Sequence, residues 1–304
     1  MKTKTLFGAM LMMSMLIGCS QANSDKEKTG YLLWKISGKD LKKPSYLLGT
    51  LHLEAGTYID SIPGARKALN DCEQVIGEVE SSNPMEMQAQ VQEYMKMPED
   101  TSYRMLYADE DYELVDEGLK STLGVGLEQL GMFKPSALSA MYAVALCHKI
   151  LPGVNPINTI DFTVQQEAVK NDKPVEGLET AEFQANLLFN SDNLAHQAEN
   201  LLCNLKNQEY GIAMMRTLVD DYHKANLDGL YEKYTNDKDN PCPASQEEIN
   251  AMVNQRNEDW VQKLPEMIKE KSSFIAVGAM HLAGETGLLS KLEKEGYTVQ
   301  AVKK

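Results

Sequence analysis

Short apolar runs suited to strands stand at both ends of this chain, and helix-period patterns fill its middle. Tyr31 to Ser37 and Ser45 to Leu48 read as strands, with a hairpin turn at Gly38-Lys39-Asp40. Pro63 to Asp71 reads as a short helix, and Gln74 to Glu80 alternates as a third strand. Met85 to Met97 has helical spacing, and the acidic stretch from Glu99 to Glu117 continues it as surface helices. Pro135 opens an apolar helix through Ala137 to His148, too short to span a bilayer. The pairs Pro152-Gly153 and Asn155-Pro156 mark a loop. Asp161 is the expected cap of a helix running to Lys170, and Lys173 to Leu178 returns as a strand. Thr180 to Tyr234 is helical, Asn236 to Pro243 is a loop, and Gln246 to Glu270 is helical with a break at Pro265. Strand Phe274 to Val277, helix Gly284 to Lys294 and strand Tyr297 to Val302 close the chain. The implied class is α/β, leaning to α+β, with a central sheet built from both termini. A large helical insertion spans about residues 81–270 of a single domain at 31–304.

The front end differs from this pattern. Lys2 and Lys4 precede an apolar run from Leu6 to Ile17, then Gly18 and Cys19, which is the layout of an export signal over residues 1–18. Leu16-Ile17-Gly18-Cys19 also has the form of a bacterial lipobox, making Cys19 the expected lipidated residue. Residues 19–30 then read as a flexible polar tether. The expected location is the bacterial cell envelope, with the lipid as membrane partner, most simply at the outer membrane facing the periplasm or the surface. The whole chain carries a net charge of −14, and removing the signal leaves 28 basic against 44 acidic residues, a net of −16. That surplus argues against nucleic acid as a partner.

Of five cysteines, Cys72, Cys147, Cys203 and Cys242 remain after the lipobox, and four allow three pairings. Cys203 with Cys242 is favoured, without the sequence deciding it. No C-x-x-C, H-E-x-x-H, G-x-S-x-G or P-loop occurs. His52 and Glu54 form an H-x-E, but the cysteine motif of a zinc deaminase is missing.

The candidate chemistry lies in a repeated construction. Gly49-Thr50-Leu51-His52 and Gly278-Ala279-Met280-His281 each follow an apolar strand. Glycine there permits a sharp turn or a close approach, and each histidine emerges beyond a strand's carboxyl end, where α/β sheets bind ligands. Two imidazoles alone leave a metal needing oxygen donors. Glu78 and Glu80 on the third strand offer them, sharing one face by the period of two. His148, His196 and His223 fall in polar helical stretches and read as surface residues; Trp34 and Trp260 read as core.

These segments together resemble the TraB/PrgY/GumN family, related to the Tiki metalloproteases and more distantly to the EreA-like and ChaN-like proteins. The resemblance runs from Tyr31 to Val302 through Tyr46–His52, Gly77–Glu80, Asp161, Lys173–Thr180, Gln184, Arg256-Asn257 and Val277–Glu285. It implies a divalent-metal-dependent hydrolase acting on a peptide or protein, with His52, His281 and Glu78 at the metal centre; the strand period adds Glu80 as a further expected metal ligand. Glu78, Arg256 and Asn257 would be the catalytic set, Arg256 as an electrophilic clamp; Asp161 and Glu179 would support or cap. Manganese, cobalt and zinc all suit such donors. Glu80 departs from the family pattern, in which many relatives carry aspartate. A non-catalytic haem- or peptide-binding lipoprotein on the same fold is the alternative. The sequence names neither the substrate nor the oligomeric state.

Overall fold

The computed structural model describes residues 29–151 and 158–303; the signal, the lipobox, most of the tether and the loop at 152–157 lie outside them. Six strands form one mixed sheet: β1 (Leu33–Ser37), β2 (Ser45–Thr50), β3 (Gln74–Val79), β4 (Val175–Glu179), β5 (Ser273–Gly278) and β6 (Thr298–Ala301). Their order is β4-β3-β5-β2-β1-β6. β4, β3, β5 and β2 run parallel; β1 is antiparallel to both β2 and β6.

Burial follows from that order. β3 and β5 are central and covered on both faces, so their sequences are nearly continuous apolar runs. Edge strand β6 alternates exposed and half-buried positions, as a one-sided strand must. The main core gathers Leu47, Leu48, Ile76, Phe274 and Ile275 of the sheet with Leu264 and Ile268 of the Gln255–Lys269 helix. A second apolar cluster, around Leu119, Leu138, Tyr142 and Leu201, sits within the helical segment between β3 and β5. The α/β class and the sheet assembled from both ends of the chain agree with the sequence reading.

Two local expectations are corrected. Asp161 does not cap its helix: Thr159 is the N-cap of Ile160–Lys170, its hydroxyl accepting from Phe162 N–H at 3.4 Å. Asp161, in the first turn, is thereby freed to face the end of β2. Pro265 does not break its helix either; Gln255–Lys269 continues through it. Burial of Trp260, Val261, Leu264 and Ile268 on one face offsets the missing N–H bond. The irregularity falls instead at Asn250–Asn254, a π-helical turn that leads into Arg256.

Cys203 and Cys242 form a disulfide, while Cys72 and Cys147 are buried free thiols. Burial pushes the Cys72 thiol up to about 12.

Candidate active site at the carboxyl ends of the parallel strands

Because β2, β5, β3 and β4 are parallel, their carboxyl ends form one edge, and each delivers chemistry there. β2 ends at Thr50 and leads to His52, and β5 ends at Gly278 and leads to the Ala279–His281 turn. β3 supplies Glu78 and β4 supplies Glu179. Gln165 anchors the end of β3, donating to Val79 O at 3.0 Å and accepting from Ser81 N–H at 2.7 Å. Tyr222 donates its hydroxyl to Gly49 O at 2.9 Å, fixing the end of β2.

Both glycines of the repeated motif are explained by close approach. A Cβ on Gly49 would sit 3.1 Å from Ala279 Cα, so the two histidine turns pack backbone to backbone. A Cβ on Gly278 would sit 3.3 Å from Glu78 Oε1, the same oxygen that accepts from Gly278 N–H at 2.7 Å.

Glu78, Arg256, Asn257 and His281 are all buried and mutually bonded. Arg256 Nη2 donates to Glu78 Oε2 at 2.5 Å and to Glu179 Oε1 at 2.7 Å. Its Nε donates to Glu179 Oε2 at 3.1 Å, and Nη1 donates to Met252 O at 3.0 Å and to His281 Nε2 at 3.2 Å. A guanidinium has five N–H groups, and these five acceptors use them all. Arg256 therefore has no donor left for a substrate while these bonds stand; it is an internal hub. Asn257 is likewise saturated. Its Nδ2 donates to His281 O at 3.2 Å and Thr286 O at 2.9 Å, and Oδ1 accepts from His281 Nδ1 at 2.7 Å. In this arrangement both residues hold their neighbours in place, and neither presents a free donor.

That Asn257 bond puts the His281 proton on Nδ1 and leaves Nε2 as a lone pair facing Arg256 and, at 4.0 Å, Glu78 Oε1. Burial lowers the His281 pKa from 6.5 to about 4, so the ring is neutral near pH 7. Burial opposes ionisation of Glu78, yet the positive field of His281, Arg256 and His52, with the Gly278 N–H, holds its carboxyl at about 2. With His281 neutral, Arg256 carries most of that field at physiological pH.

His52 stands at the open side. Its Nδ1 bonds Asp161 Oδ2 at 2.9 Å, and Thr50 donates to the other Asp161 oxygen at 2.5 Å. The Asp161 carboxylate raises the His52 pKa to about 9, though a side chain 65% exposed lets water screen the pair. Glu80 is not brought to the cluster: it is exposed, its carboxylate accepting from Ser82 backbone and hydroxyl. The chain turns after Val79, so the period of two no longer governs where Glu80 points. Glu54 pairs with His223, whose ring stacks on Tyr58.

Trp260 and Gln184 are members that sequence reasoning did not assign. Trp260 packs on the His281 ring at 4.5 Å, lies under the Arg256 guanidinium at 4.6 Å and donates Nε1–H to Glu179 at 3.2 Å. Gln184 donates to Glu78 at 3.3 Å and Glu179 at 3.0 Å. The spacing Arg256-x-x-x-Trp260 was a usable signal, since residues four apart share a helix face.

The His281–Glu78 pair suits a divalent cation in charge. Among the described residues, however, no third histidine, cysteine, aspartate or glutamate at the strand ends comes within ligand spacing of it. The expected set of His52, His281, Glu78 and Glu80 is therefore not brought together. Glu78 and Glu179 bring two negative charges against one on Arg256, leaving the buried cluster net negative around a neutral imidazole. The 4.0 Å between His281 Nε2 and Glu78 Oε1 would have to shorten for both to bind one ion in tetrahedral geometry at ligand bonds of about 2.0–2.2 Å. Both histidines have Nδ1 held by a side-chain oxygen, the usual support of a ligating imidazole. Loading would require Arg256 Nη1 to yield His281 Nε2.

A mixed sheet with its polar cluster at the carboxyl ends of parallel strands defines an α/β protein of the strand-end-site type. The model of the TraB/PrgY/gumN family matches residues 32–301, and the chain belongs to that family. Comparison with curated proteins and with solved structures gives no match.

Proposed function

We propose that the strand-end cluster is the centre of a divalent-metal-dependent hydrolase acting on a peptide or related amide. The observation that carries this reading is a buried, net-negative cluster in which an oriented, neutral imidazole faces a carboxylate at 4.0 Å. His281, Glu78 and His52 would hold the ion; manganese, cobalt and zinc suit the donors. The ion would supply an activated water and a polarised carbonyl. Glu78, ionised and fixed by Gly278 N–H and Arg256, would be a ligand of the ion or, in place of that, the acceptor of the water's proton. His52, at the solvent edge with Nδ1 on Asp161, would give up its second proton and bind the ion through Nε2. Arg256 and Asn257 hold Glu78 and His281 in register.

The test is elemental analysis and peptide turnover on chelator-stripped, metal-reloaded protein, alongside His52→Ala and His281→Ala. Loss of metal and turnover together in both variants is expected. Equal metal in parent and variants would end the ligand assignment.

The export reading of residues 1–18 and lipidation of Cys19 are part of the same proposal, placing the hydrolase at the bacterial envelope. The Cys203–Cys242 disulfide supports an oxidising compartment. Labelling with a fatty-acid analogue should be abolished by Cys19→Ser; retained label would refute lipidation there.

A further inference from the structure

A second cluster lies in the helical segment, apart from the strand-end site. Asp192 and His196 flank the start of the Leu194–Lys206 helix, and Glu248 stands in the Gln246–Ile249 helix. All three are half-buried, and one donor atom from each lies within 4.8 Å of the others. Among the described residues this is the group of three or more histidine, cysteine, aspartate or glutamate side chains that meets such spacing. Two carboxylates face one imidazole, and Glu199 adds further negative charge nearby.

We propose that Asp192, His196 and Glu248 form a second, non-catalytic site for a divalent transition-metal cation, which ties the Leu194–Lys206 helix to the Gln246–Ile249 turn that leads into the helix bearing Arg256. The donors come from segments 52 residues apart, so the cluster is a tertiary feature and more than an i,i+4 surface pair. Each donor is held in place. Asn193 N–H donates to Asp192 Oδ1 at 2.7 Å, and the other oxygen bonds His196 Nδ1. Ser245 N–H donates to Glu248 Oε2 at 2.6 Å in a capping box, leaving Oε1 as a further acceptor. A cavity of about 450 Å³ opens beside all three, giving water access to complete a coordination shell of three protein ligands plus solvent.

The position gives the site a purpose. Met252 lines the same cavity and its carbonyl accepts from Arg256 Nη1. The π turn at Asn250–Asn254 joins Glu248 to the helix of Arg256 and Asn257. The neighbouring helix Gln208–His223 has Tyr222 as its one fully buried residue, with Ile212 and Met215 packed partly buried against the second apolar cluster. The Cys203–Cys242 bridge staples this region once, and a cation would staple it again.

Zinc titration by calorimetry tests the inference, using chelator-stripped full chain carrying His52→Ala to separate this site from the first. One zinc per chain should bind, and His196→Ala or Glu248→Gln should weaken it at least tenfold. Zinc should also raise the melting temperature of His52→Ala, and this rise should vanish in the double variants while their melting in chelator matches the parent. Glu248→Gln keeps an acceptor for Ser245 N–H, so it reports on ligation even where His196→Ala folds poorly. Unchanged zinc affinity in the variants, or binding only at millimolar zinc, overturns the proposal.

Discussion

Arg256 is the residue on which the strand-end cluster turns, because every one of its N–H groups is spent inside the protein. Glu179 accepts two of them, and its side chain is 4% exposed. Glu78 still balances the guanidinium when the Glu179 charge is removed, so what is lost is charge-assisted hydrogen bonding, about 1.5–3 kcal/mol. Glu179→Gln should therefore lower the urea midpoint by that loss, and an unchanged midpoint would show that Arg256 finds water instead. The pH response belongs to the same scale. His281 has a folded pKa of about 4 against an ordinary 6.5, so between those values the unfolded chain binds more protons. Stability of the chelator-treated protein should fall as pH drops from 6.5 through 4, and His281→Asn should flatten that limb in acid denaturation. The Cys72 thiol, pushed up to about 12 by burial, should resist alkylation at pH 8 until the chain unfolds.

At the level of elements, helix starts aim the supporting side chains. Thr159 caps Ile160–Lys170, and that cap leaves Asp161 facing Thr50 and His52 instead of its own backbone. Thr159→Ala should cost about 1 kcal/mol in stability. The loosened first turn should also return the His52 pKa toward its ordinary value, read by NMR titration. A full loss of stability with no His52 shift would separate the cap from the site. The repeated glycine motif works at this scale too. Its two turns meet where Gly49 packs on Ala279, a contact that any side chain at position 49 would force apart.

For the whole molecule, the parallel arrangement of β2, β5, β3 and β4 converts four separated segments into one edge. No contact near the site is needed to explain this; it follows from strand direction. The helical segment between β3 and β5 is held differently, with its own apolar cluster and a disulfide closing a 39-residue separation. Chain-entropy reasoning gives about 4 kcal/mol for a loop of that size. Reduction should lower the denaturant midpoint accordingly, and Cys203→Ser with Cys242→Ser should reproduce it without reductant. A null result would mean that the unfolded chain is already compact there.

Local pattern alone determined the apolar strands at both ends, the helical middle and the paired glycine–histidine turns, since these depend on periodicity and steric rules acting over a few residues. It also named His52, His281 and Glu78, because a polar residue beside an apolar run is visible in one dimension; Arg256 and Asn257 entered only through the family resemblance. What each of them does was decided by tertiary structure. Hydrogen-bond saturation leaves Arg256 and Asn257 without a free donor in this arrangement, and a change of chain direction after Val79 carried Glu80 away. Trp260 and Gln184 joined the cluster only when a helix packed across strand ends from elsewhere in the chain. Such partnerships depend on distances between segments up to 200 residues apart, and no local rule carries that information.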